Sequence, residues 1–202
     1  LKKTLILLAG YPGTGKSNLA NLILEKFPSI QFLSPDELKE KNWDQYGFNN
    51  LAEKETLIQK SWEEYYQIMS KKFQQSISLI SDYPFSGKQK EKLRRLTDQS
   101  GYQVITIRLI AELDVLYERQ KLRDLDHSRH LGHILLRYHK ENETIDHKSA
   151  DNLVDYQEFI KRCTTRGYGE FSLGELIEVD VTDFSLVDYD QLLIELEKLL
   201  EW

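Results

Sequence analysis

Residues 10–17 read Gly-Tyr-Pro-Gly-Thr-Gly-Lys-Ser, and no other stretch of the chain constrains its fold as strongly. The octapeptide fits the phosphate-binding loop pattern of two glycines, lysine and Ser/Thr, which works only between a strand and a helix. Both flanks comply. Thr4 to Ala9 (TLILLA) is a continuous apolar run suited to a strand buried on both faces, and Asn18 to Phe27 reads as a helix ended by Pro28. Gly10, Gly13 and Gly15 let backbone N–H groups turn inward around phosphate oxygens with no Cβ in the way. The helix opening near Lys16 aims its positive dipole end at the same anion. Lys16 is then expected to reach the β- and γ-phosphates of ATP, and Ser17 to give a hydroxyl to Mg²⁺. Gly10, Pro12, Gly13, Thr14, Gly15, Lys16 and Ser17 are the expected nucleotide-binding positions.

The rest of the chain alternates strand and helix patterns. Ile30 to Leu33, Ile77 to Ile80, Val104 to Ile110 and Leu176 to Val181 read as further strands. Ser34-Pro35-Asp36-Glu37 combines a capping box with proline at the first helical position, and so predicts a helix start. Leu51, Ile58, Trp62, Tyr65, Met69 and Phe73 mark a long helix, Lys88 to Gln99 and Leu113 to Leu122 two more. Leu153, Tyr156, Phe159 and Ile160 mark another, and Tyr189, Leu192, Leu193, Leu196, Leu199 and Leu200 an amphipathic C-terminal one. This alternation predicts a three-layer α/β fold, a central five-stranded parallel sheet with helices on both faces. A length of 202 residues suits one domain, with a lid region at about 119–150.

A metal-side acid and two further features lead from nucleotide binding to phosphoryl transfer. Asp82 follows an apolar strand, where a carboxylate faces the phosphates and can serve the metal; Asp114, at a helix start, looks more like a cap. Asp36 lies just beyond the second strand, where a carboxylate can accept the proton of an attacking hydroxyl. An acid in the first turn of a helix is also favourable on dipole grounds alone, and the pattern does not choose between the two. Arg119 and Arg123 share a helix face at i, i+4 and can close over a transferring phosphoryl group, with Arg129 beyond them.

In order and spacing, the loop, then Phe32-Leu33-Ser34-Pro35-Asp36-Glu37-Leu38-Lys39, Ser81-Asp82-Tyr83 and Glu118-Arg119-Gln120-Lys121-Leu122-Arg123 resemble small P-loop kinases. That group includes the kinase domain of phage 5′-hydroxyl polynucleotide kinase and the zeta-toxin-like predicted kinases. Arg129-His130-Leu131-Gly132-His133 is similar to a lid sequence of the group, with Leu131 in place of its proline. The resemblance spans roughly residues 3–140. It implies a nucleoside-kinase-like P-loop fold with a helical lid, a catalytic aspartate at Asp36, a metal-side acid at Asp82 and lid arginines at Arg119 and Arg123. Lys39 stands where the polynucleotide kinase has an arginine on substrate phosphate, and lysine cannot repeat that planar contact. Lys39 and Arg129 are therefore the substrate-side candidates. Residues 180–184 stand where such kinases hold adenine.

Charge narrows the partners. The chain carries 27 Lys and Arg against 33 Asp and Glu, a net −6 that disfavours a broad nucleic-acid surface. Residues 119–140 are nonetheless net +4 and residues 86–100 net +3, so a polynucleotide acceptor stays open, while 35–66 are net −4. The expected acceptor is a small molecule or nucleotide bearing a hydroxyl. The alternatives are a 5′-hydroxyl polynucleotide kinase and a nucleotide-dependent switch, which needs no hydroxyl-side base. All five histidines fall between His127 and His147. Without cysteines or paired carboxylates they suggest a cationic lid over a zinc site. The lone Cys163 sits in an apolar pattern and reads as core; one thiol fits a reducing, cytoplasmic setting. No apolar run is long enough for a membrane span, and Leu5 to Ala9 is too short for a signal peptide.

Overall fold

The computed structural model describes residues 2–142 and 145–201. Five strands, β1 (Thr4–Gly10), β2 (Gln31–Phe32), β3 (Leu79–Asp82), β4 (Gln103–Ile110) and β5 (Glu175–Asp180), form one sheet. Their order is β2-β3-β1-β4-β5, and every pairing is parallel. The helices are α1 (Lys16–Lys26), α2 (Pro35–Tyr46), α3 (Leu51–Gln74), α4 (Gly87–Ser100), α5 (Leu113–Leu125), α6 (Tyr156–Thr165) and α7 (Tyr189–Leu200). This is the three-layer arrangement expected from the alternation.

The central strand β1 is buried along its whole length, which is why its sequence is apolar without alternation. Ile6 and Leu8 face Leu19, Ala20 and Ile23 of α1 and Leu192, Leu196 and Leu200 of α7. Leu5, Leu7 and Ala9 face Tyr65, Met69 and Phe73 of α3 and Leu93 of α4. Each fully buried aliphatic side chain contributes roughly 1.5–3 kcal/mol. The two-faced core thus holds the C-terminal ends of β1, β3 and β4 at one edge of the sheet, where the loop and Asp82 lie.

Some boundaries differ from the sequence pattern. β3 runs two residues further than Ile77 to Ile80, because its register against β1 pairs Leu5 with Leu79 and Leu8 with Asp82. The turn before it passes through Ser76 at φ 58°, so Ile77 precedes the ladder. Pro35 opens α2 as expected, but Ser34 makes no side-chain cap hydrogen bond, so the expected capping box is not formed there. A complete capping box instead joins Ser86 and Gln89 at the start of α4.

Among the described residues of the 119–150 span, helical structure comes from α5 and from short 3₁₀ turns at Leu131–His133, Lys140–Asn142 and His147–Ser149. Apolar packing of Leu131, Ile134, Leu135 and Tyr138 on Trp43 and Phe48 fixes this span to α2 and its outgoing loop. Reciprocal backbone hydrogen bonds between Phe48 and Tyr138 (2.8 and 2.9 Å) add to it. Among the described residues no helix is long and apolar enough to cross a membrane.

Candidate active site

The loop between β1 and α1 turns on three glycines at positive φ. A Cβ on Gly10 would sit 1.9 Å from the Leu109 carbonyl oxygen of the neighbouring strand. α1 opens with no side-chain cap and no acid in its first turn, so its first N–H groups point at the loop concavity as an anion site. Lys16 is buried, with Nζ donating to the carbonyls of Tyr11 (2.6 Å) and Gly10 (3.3 Å) and to Thr14 Oγ1 (3.2 Å). Burial, and then repulsion from Arg123, lower its pKa to about 7 against the pull of Asp82 and Asp36. An anion in the loop reverses that depression by Coulomb attraction.

Ser17 Oγ donates to Asp82 Oδ2 at 2.7 Å. A hydroxyl and a carboxylate at a loop that also offers phosphate oxygens are a hard-oxygen donor set, and they fit Mg²⁺ with its remaining positions filled by phosphate and water. Among the described residues no group of three or more His, Cys, Asp or Glu could hold a metal alone.

Asp36 sits in the first turn of α2, and its Oδ1 accepts from Lys39 Nζ at 3.0 Å. Lys39 in turn donates to Tyr83 Oη at 2.9 Å, and its side chain is only 7% exposed. Burial works to raise the Asp36 pKa, but Lys39, His133 and Arg129 outweigh it and hold the carboxyl well below its ordinary range. Burial likewise works against the Lys39 ammonium, and Asp36 and Tyr83 overcome it.

Arg119 and Arg123 share a helix face without sharing an environment. Arg119 donates to the carbonyls of Val181 and Thr182, both at 2.8 Å, and its guanidinium lies 3.9 Å from the Phe184 ring centroid. That ring in turn would lie 3.2 Å from a Cβ on Gly15. The Arg123 guanidinium has no hydrogen-bond or ion-pair partner among the described residues, and its charge is felt at Lys16 and Arg129. Arg129 Nε lies 3.3 Å from Asp124 Oδ1, close enough for ionic attraction although not aligned as a hydrogen bond.

These side chains meet in one cavity of about 500 Å³, lined by the loop, Asp36, Lys39, Asp82, Tyr83, Arg119, Arg123 and Arg129. A second hollow of about 400 Å³ lies alongside and shares Ser17, Asp36, Asp82, Arg123 and Arg129, but also carries Glu37 and Glu40. Asp114 does not line the first cavity; it accepts from Tyr156 Oη of α6.

The histidines do not form a uniformly cationic cover. His133 bonds Glu40 at 2.7 Å, yet burial depresses its pKa to about 4, so it is neutral at neutral pH. His130 bonds Asp44, His139 bonds Asn49 and His147 bonds the Arg129 carbonyl. Cys163 is buried against Leu116 and Phe159. Sequence reasoning missed the far wall, where Phe159, Arg162, Arg166 and Tyr168 complete the cavity. The spacing of Arg162 and Arg166 was the available signal. Gln120, also on the wall, is buried and gives Nε2 to Asp124 while its Oε1 has no protein partner among the described residues.

A loop of this geometry at the end of the central strand of a parallel five-stranded sheet defines a P-loop nucleotide-binding protein of kinase-like fold. The chain belongs to the AAA domain family, which matches residues 5–140. No curated protein matches it in sequence. A crystal structure from Chloroflexus aurantiacus, of a protein whose assignment as a kinase is itself provisional, superposes at TM-score 0.75 and 22% identity, covering 98% of this chain and 96% of that one. The APS kinase of Mycobacterium tuberculosis, solved with AMPPNP and APS, gives 0.59 and 16%, covering 100% and 98%. A sugar kinase from Janibacter gives 0.54 and 9%, covering 100% and 95%. At these identities the likeness is one of fold.

Proposed function

We propose that the protein is an ATP-dependent kinase that transfers the γ-phosphoryl group of Mg·ATP to a hydroxyl of a small-molecule or nucleotide acceptor. The observation that carries this reading is that Asp36 lines the same cavity as Lys16, Ser17 and Asp82. A switch that only senses nucleotide needs no carboxylate there.

The roles follow from the contacts. The loop N–H groups and Lys16 hold the β- and γ-phosphates, and Ser17 with Asp82 would hold Mg²⁺, which neutralises charge on the phosphate oxygens when bound. Arg119, already fixed to the Val181 and Thr182 carbonyls, serves the nucleoside end beside Phe184. Arg123, without a protein partner among the described residues, serves the transferring group. Lys39 spends one oxygen of Asp36 and keeps the carboxylate ionised, while the other oxygen accepts the acceptor's hydroxyl proton. The acceptor oxygen bonds to the γ-phosphorus, the bond to the β–γ bridging oxygen breaks, ADP leaves, and the proton passes to Asp36. A carboxylate of low basicity suffices, because in a loose transition state the proton departs late.

The test is a panel of sugars, polyols, nucleosides and their phosphates incubated with γ-labelled ATP and the protein. Label moving to a member of the panel supports the kinase. Label released only as inorganic phosphate across the panel would make the protein an ATPase.

A further inference from the structure

The charges in the main cavity do not all have partners once the nucleotide is accounted for. Lys39 is matched by Asp36 and Arg129 by Asp124, and Arg119 is spent on backbone carbonyls. Lys16 and Arg123 suffice for the roughly two net negative charges of a magnesium-bound triphosphate. Arg162 and Arg166 remain. They stand i, i+4 at the C-terminal end of α6, so their Cβ atoms lie about 5–6 Å apart on one face, and both line the cavity. α6 follows the family match at residues 5–140, so neither arginine belongs to the part shared with the family.

Their existing contacts are weak competitors. Arg162 pairs with Glu158 at 2.6 Å along its own helix, both side chains more than a third exposed. Such a solvent-screened i,i+4 pair is readily given up for a better anion. Arg166 donates to the Tyr168 hydroxyl at 3.2 Å and has no carboxylate partner among the described residues. Cys163, between them on the helix, feels both guanidinium groups and Lys16 together. The α6 arginines and the loop lysine thus converge on one volume. The neighbouring hollow shares Arg123 and Arg129 but lacks the α6 arginines and adds Glu37 and Glu40.

We propose that Arg162 and Arg166 form a second anion subsite in this cavity, and that the acceptor is a phosphate monoester bearing a free hydroxyl. The guanidinium groups hold its phosphate while its hydroxyl reaches Asp36. Two planar forks one helical turn apart suit a tetrahedral dianion, which can accept paired N–H bonds from each. The acceptor class rests on the kinase reading above; the anion subsite does not.

Two measurements keep these apart. In the first, inorganic phosphate is titrated calorimetrically into the protein saturated with Mg·AMPPNP, so that the loop is already filled. Phosphate should bind, and its Kd should rise at least fivefold in R162Q/R166Q. No phosphate binding under these conditions, or equal binding in that variant, overturns the subsite; sulfate titrated in parallel shows whether the charge or the phosphate itself is recognised. In the second, transfer is compared between phosphorylated acceptors and their unphosphorylated counterparts. The wild-type kcat/KM ratio should favour the phosphorylated member, and R166Q and R162Q should each reduce that ratio about tenfold. Equal loss on both members, with the KM for ATP rising in step, would place the arginines on the γ-phosphate and overturn the proposal. Phosphate binding that behaves as expected with no transfer to any acceptor would instead reject the kinase reading and leave the subsite standing.

Discussion

Ser17 Oγ and Asp82 Oδ2 lie 2.7 Å apart, joining the first turn of α1 to the last residue of β3. The contact depends on the β1–β3 register, which brings Asp82 opposite Leu8. Asp82→Asn preserves an oxygen that can accept from Ser17 but removes the charge. The half-saturating Mg²⁺ concentration for turnover should rise by roughly 10–100-fold, with an unchanged thermal midpoint. An unaltered Mg²⁺ dependence would remove Asp82 from the metal side.

Lys16 gives a pH signature. With its pKa drawn down to about 7 by burial and Arg123, the nucleotide-free protein loses this ammonium as pH rises through neutrality. Mg·ATP binding requires the ammonium and must regain the proton. Affinity should therefore fall as pH rises from about 7.5 to 9. Lys16→Ala should remove most productive binding throughout. A flat profile for wild-type protein, measured by fluorescence titration, argues that Lys16 is not the loop cation.

For Asp36→Asn, the transfer rate should drop by roughly 10²–10⁴, the usual contribution of a positioned proton acceptor. ATP affinity should stay within a few-fold, since Lys16, Ser17 and Asp82 are untouched. Lys39 loses its ionic partner, so the thermal midpoint should also fall, and transfer must be measured below it. Normal transfer with a lowered midpoint would leave Asp36 a structural acid.

The two α5 arginines should separate. Arg123→Ala should lower kcat by about 10²–10³ with little change in the KM for ATP, as expected for a donor used in the transition state. Arg119→Ala removes the ties to Val181 and Thr182 and should raise the KM for ATP more than it lowers kcat. Identical kinetic changes in the two variants would contradict their separate placement.

A stability test isolates the core beneath the site. Tyr65 Oη donates to Ser81 Oγ at 2.8 Å with both residues fully buried. Tyr65→Phe orphans the serine hydroxyl and should cost about 1–3 kcal/mol in denaturant unfolding. Tyr65→Phe with Ser81→Ala removes both polar groups and should be the more stable of the two variants. The reverse order would mean that lost packing at Ser81 outweighs the unpaired hydroxyl.

The loop, its flanking strand and helix, and the layered parallel sheet were legible in the order of residues, because each follows from local backbone freedom and apolar periodicity. Glycines at 10, 13 and 15 admit the positive φ values found there, and an unalternating run such as Leu5 to Ala9 is stable only when both faces are covered. Arg119 and Arg123 show where that reading ends. Their spacing put them on one helix face, yet β5 delivers the Val181 and Thr182 carbonyls to the first and nothing among the described residues to the second. The contact of the Asp36–Lys39 pair with Tyr83, and the meeting of Arg162 and Arg166 with the loop in one cavity, likewise join residues far apart in sequence. Pairings of this kind depend on strand order and register, which act across the whole sheet, so only the tertiary structure could decide which charges meet.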